Sequence, residues 1–196
     1  MWIPQIWVVK VNNEQLSARL ADSGLILVCV EETVTSCPPS AAFAATGCGP
    51  DDGRVDIVVE YDSPDPLGDV NRAWYAQATR FGLFGDTGEF LLLVNMHDDP
   101  YDADLRWARV RLGPLWNVSG DRSTTINGPT LDGLITMSVH GDVIVEGSTG
   151  QRAMDVLAVP NPHKASAIRH YIGFMLRNGE LSGLEADNVK NWLARA

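Results

Sequence analysis

The segment richest in reactive side chains is His97-Asp98-Asp99-Pro100-Tyr101-Asp102-Ala103-Asp104, which directly follows the apolar run Glu89–Met96. Carboxylates and an imidazole crowded at a strand end are the donor set that oxygen-preferring cations such as Mg²⁺, Mn²⁺ or Ca²⁺ accept. Crowding also raises carboxylate pKa values, as a general acid requires. His97, Asp98, Asp99, Asp102 and Asp104 are therefore the candidate metal ligands of a small metal-assisted hydrolase. In it the ion would activate a water for attack. A solvated acidic turn has the same composition, since Asp is favoured in turns. The segment is not an EF-hand loop, because its glycine and terminal glutamate are missing.

Other motifs fail on their spacing or setting. Gly47-Cys48-Gly49-Pro50-Asp51-Asp52-Gly53 is one residue out of register with a dinucleotide fingerprint. A strand follows where a helix N-terminus would have to hold the pyrophosphate. No Walker loop, HExxH or GxSxG elbow occurs. His163 and His170 stand seven apart, not the four of helical zinc pairs. The three cysteines form no CxxC or Cys/His zinc spacing. Cys29, inside Leu25–Val30, reads as a buried inert thiol. Cys37 and Cys48 share one loop and could pair, although free thiols suit a reducing compartment.

Charge narrows the partners. Twenty-five acidic residues against fifteen Lys and Arg give a net charge of −10. That sign opposes binding of the whole surface to nucleic acid or to an anionic membrane. Arg106, Arg109 and Arg111 are the one basic grouping, and their strand-like surroundings read as an exposed strand face. Absent a basic leader or a long apolar run, a cytoplasmic location or a place within a larger assembly is expected.

The elements follow from periodicity and punctuation. A strand over Ile6–Val11 leads to a helix capped at Asn12 or Asn13 and stopped at Gly24, then to a strand over Leu25–Glu31. A long loop is expected over Thr33–Gly53, with one helical turn inside it at Ala41–Ala45. A strand at Val55–Tyr61, a helix capped by Asp69 over Val70–Phe81, and a strand over Glu89–Met96 repeat the pattern. Residues 1–99 thus match a ferredoxin-like βαββαβ order. Residues 100–196 add the alternating strand Leu105–Leu112 and shorter strands near 115–118, 134–139, 143–146 and 153–159. Two helices close the chain, an amphipathic one with Pro162 in its first turn and a shorter one carrying Trp192. The expectation is one α+β domain over 1–196.

With 45% hydrophobic residues, a chain of 196 residues buries a core without needing disulfides or a metal. Six tryptophans are available, and Trp2, Trp7 and Trp192, near the chain ends, are the candidate interface aromatics. With catalytic signatures missing and the ends amphipathic, the leading expectation is a non-catalytic protein-binding or assembly module without a cofactor. It would act as an oligomer, a particle subunit or an inhibitor of a basic partner.

Overall fold

The computed structural model describes residues 10–97, 103–118, 133–149 and 153–195. Among the described residues seven strands form one sheet: β1 (Leu25–Val30), β2 (Val55–Glu60), β3 (Glu89–Asn95), β4 (Leu105–Leu112), β5 (Leu134–Ser138), β6 (Val143–Thr149) and β7 (Ala153–Pro160). Their order is β1-β4-β3-β5-β6-β7-β2, and every pairing is antiparallel. The helices are α1 (Asn13–Asp22), α2 (Pro39–Ala42), α3 (Pro66–Arg80), α4 (Ser166–Asn178) and α5 (Gly183–Leu193).

The α+β class holds, but the ferredoxin-like arrangement is not what the strands make. That arrangement would place β1 and β2 side by side, whereas they occupy opposite edges of the sheet. β1 pairs with β4, and β2 with β7. The strand expected at Ile6–Val11 lies mostly outside the described residues. Within them, Lys10 forms an isolated antiparallel bridge to His97, and Val11 N–H donates to the Met96 carbonyl at 2.7 Å.

Alternate residues of the central strands enter two cores, one on each sheet face. Phe90, Leu92, Val94, Val110, Val145 and Val156 pack with Leu16 and Leu20 of α1 and Val70, Trp74 and Ala78 of α3. Leu91, Leu93, Trp107, Ile144, Leu157 and Val159 pack on the opposite face with α2, α4 and α5. Double coverage explains why β3 and β7 read as nearly continuous apolar runs instead of alternating.

Local chemistry sets the helix ends. Asn12 accepts the Gln15 N–H at 2.9 Å while the Gln15 side chain accepts the Asn12 N–H at 3.0 Å, a reciprocal capping box. Helix α3 starts four residues before the expected Val70. Pro66 occupies its first turn, where a missing N–H costs nothing, and Asp65 rather than Asp69 is the cap, accepting from Gly68 N–H at 3.1 Å. Gly24 has φ +72°, and a Cβ there would fall 1.8 Å from the Leu115 carbonyl oxygen, so only glycine fits this approach. The Thr33–Gly53 segment is an ordered cover on the sheet. Helix α2 and 3₁₀ turns at Phe43–Gly47 and Pro50–Asp52 bury Cys37, Ala41, Ala42, Ala45 and Cys48.

Candidate functional site

A cleft of about 330 Å³ opens where β1 ends, β4 begins and the α4–α5 connection passes overhead. A second, shallower hollow of about 680 Å³ adjoins it beside Val11 and Asn12. The two share Glu31, Glu32, Asp104 and Arg106. The floor of the first is apolar, formed by Leu105, Trp107, Met175 and Leu181, with Val34, Pro38 and Pro39 on one wall.

Hydrogen bonds from distant parts of the chain hold that wall. The Trp107 indole N–H donates to the Cys37 carbonyl at 2.8 Å, and Asn188 Nδ2 donates to the Val34 carbonyl at 3.0 Å. The Ser40 hydroxyl donates to the Met175 sulfur at 3.6 Å. Strand, loop and both terminal helices are thereby tied into one rim before any ligand arrives, which reduces the ordering cost of binding.

The rim is acidic. Glu31, Glu32, Asp104, Glu180 and Glu185 line it, against Arg106 as the cation among the lining residues. Several of these carboxylates also do structural work. Asp104 accepts from Arg106 Nε at 2.6 Å, Glu31 pairs with Arg109 at 2.7 Å, and Glu185 accepts from Ser182 N–H at 3.1 Å as the helix α5 capping box. Glu32 is exposed and makes no hydrogen bond or ion pair with a described residue.

The residues singled out by sequence fall unevenly around this cleft. Asp104 lines it, while His97 sits at the Lys10 bridge. Asp98, Asp99 and Asp102 lie outside the described residues, as do Trp2 and Trp7. Among the described residues no three His, Cys, Asp or Glu side chains converge as a metal would require. Trp192, expected at an interface, is 1% exposed. Its indole N–H donates to the Gly141 carbonyl at 3.2 Å and its ring meets His163 edge-on, so it anchors α5 to the core. Cys29, expected in the core, is exposed, because β1 is an edge strand. Cys37 and Cys48 are free and buried, and burial raises both thiols, Cys48 to about 11, which leaves them inert. The arginine trio is not a free basic patch: Arg106 pairs with Asp104, Arg109 with Glu31, and Arg111 with Glu89.

Two polar residues in apolar strands escaped the sequence reading. Asn95 is 3% exposed, and its Oδ1 accepts both His97 N–H (3.0 Å) and Asp104 N–H (3.1 Å), pinning the ends of the 97–104 segment together. Glu146 is 4% exposed on β6 between Ile135 and Leu157, and its Oε2 has no hydrogen-bond partner among the described residues. Burial raises its carboxyl to about 7 despite the opposing pull of Arg54. A polar residue following an apolar run was the available signal for each.

No family model, curated protein or solved structure matches the chain. Among the described residues no helix is long and apolar enough to cross a membrane.

Proposed function

We propose that the chain is a non-catalytic binding module that takes a basic, partly apolar segment of a protein partner into the cleft at Glu31, Glu32, Asp104, Glu180 and Glu185. The observation that carries this reading is five carboxylates and one guanidinium arranged around a floor of Leu105, Trp107, Met175 and Leu181. Apolar side chains of the partner would supply burial, and its Lys or Arg residues would meet the rim. Complementary charge of this kind steers encounter and sets specificity more than it sets affinity. The net charge of −10 extends the same field beyond the cleft.

Calorimetric titration with a synthetic peptide of alternating lysine and leucine tests the reading. Glu32 and Glu180 are exposed, so a Glu32→Lys/Glu180→Lys variant changes the field without disturbing the core. The reading requires binding that weakens with salt and falls roughly tenfold or more in the variant. Equal affinity in both proteins rejects it. Heat on titrating Mg²⁺, Mn²⁺ or Ca²⁺, abolished by Asp104→Asn, would instead favour the metal-assisted hydrolase, because among the described residues of that cluster Asp104 lines the cleft.

A further inference from the structure

The two edges of the sheet are unlike. β2 carries Asp56 and Glu60, both exposed, and charges along an edge discourage pairing with another chain. β1, Leu-Ile-Leu-Val-Cys-Val, carries no charge and no proline, yet Ile26 is 54% and Val28 44% exposed. Leu115, 87% exposed, lies against Gly24 at the start of this edge.

The hydrogen-bond phase of β1 is fixed by its partner. Gly113 N–H donates to the Gly24 carbonyl at 2.7 Å, and bonded pairs alternate in an antiparallel ladder. Gly24–Gly113 and Ile26–Arg111 are therefore bonded pairs, whereas Leu25 and Leu27, opposite Leu112 and Val110, turn their N–H and C=O away from β4. No described strand pairs with that outer side.

We infer that β1 pairs with β1 of a second copy of this chain, antiparallel about a two-fold axis at Ile26. In that register Leu25 of each copy exchanges both backbone hydrogen bonds with Leu27 of the other. The two Ile26 side chains then face each other across a non-bonded pair, the closer of the two cross-strand spacings. Val28 of one copy falls opposite Gly24 of the other, beside the exposed Leu115, so the apolar patch complements itself. The bulge between Leu27 and Cys29 lies just beyond the bonded residues.

Charge permits the approach. Arg109 and Arg111 on the neighbouring strand are matched by Glu31 and Glu89, so the surface beside the seam is locally neutral although the chain is strongly acidic. Antiparallel pairing also sends the two Glu31–Glu32 pairs to opposite ends of the junction. Both β1 edges are consumed and the charged β2 edges remain outermost, so the assembly closes at two.

Light scattering after size exclusion, on the full chain across micromolar concentrations, should give twice the 21.3 kDa chain mass. Ile26→Lys places two ammonium groups against each other at the axis and should raise the dissociation constant roughly tenfold or more while the circular dichroism stays unchanged. A monomer throughout the range, or a folded Ile26→Lys variant that dimerises as tightly as the parent, overturns the inference. If Ile26→Lys fails to fold, Ile26→Cys with Cys29→Ser decides the matter. A residue facing itself across a non-bonded pair sits within disulfide reach, about 4.5 Å between Cα atoms. Oxidised glutathione should then yield a covalent dimer, and a chain that stays monomeric on a denaturing gel refutes the seam.

Discussion

Asp52 reaches Ser166 across the loop–helix boundary, accepting its backbone N–H at 2.7 Å and its hydroxyl at 3.3 Å. Ala165, which precedes the first residue of α4, has no side chain able to cap it, so an aspartate from a distant 3₁₀ turn does the capping. The bonds from Ser166 and Gly49 hold the Asp52 carboxyl below its ordinary value. Because the folded state prefers the carboxylate, the contribution is present above the unfolded pKa of 3.8 and is lost as pH falls through the lower, folded value. Asp52→Ala should lower the melting temperature at neutral pH and cost progressively less as the solution is acidified. Thermal melts at neutral and strongly acidic pH check this.

Glu146 titrates in the opposite sense. Burial favours its protonated form, so the folded pKa, about 7, lies above the ordinary 4.5. The stability held by the protonated form is full below pH 4.5 and is lost as pH rises through 7, a change of about 3 kcal/mol at 1.36 kcal/mol per decade. Glu146→Gln, which cannot ionise, should flatten this part of the profile and be the more stable protein at pH 8. Urea unfolding of both proteins at pH 5 and pH 8 measures it, and parallel profiles would rule out Glu146 as the titrating group.

Trp107 both floors the cleft and ties the Cys37 carbonyl to the sheet. Trp107→Phe keeps an aromatic floor but leaves a buried carbonyl without its donor, which costs about 1–3 kcal/mol. Urea denaturation should show that loss. Peptide affinity should fall as well, since the wall carrying Val34 and Pro38 is no longer fixed.

What the sequence shows of this fold is mainly local. The Asn12 cap, the Gly24 and Gly179 stops, the His140–Asp142 turn and the apolar strands can all be read from a few adjacent residues. Pro66 misleads because proline breaks a helix interior but begins a helix well. Strand order is not legible, because the pairing of Val55 with Ala158 or Leu25 with Leu112 rests on contacts that no local pattern encodes. Nor does an apolar run reveal whether its strand is central or at an edge, which is why Cys29 reads as buried and is exposed. The site divides the same way. Asp104 is visible as part of an acidic cluster, but Glu180 and Glu185 reach the cleft only because α4 and α5 fold back over β4.

The central claim, that the acidic cleft is a binding surface for a basic segment, is tested most directly by amide chemical-shift mapping. Labelled chain would be titrated with the lysine–leucine peptide at low and high salt. The account predicts shifts concentrated at Glu31–Val34, Asp104–Trp107 and Glu180–Glu185, diminishing with salt and absent in the Glu32→Lys/Glu180→Lys variant. Shifts spread evenly over the acidic surface, or concentrated away from these three segments, would contradict it.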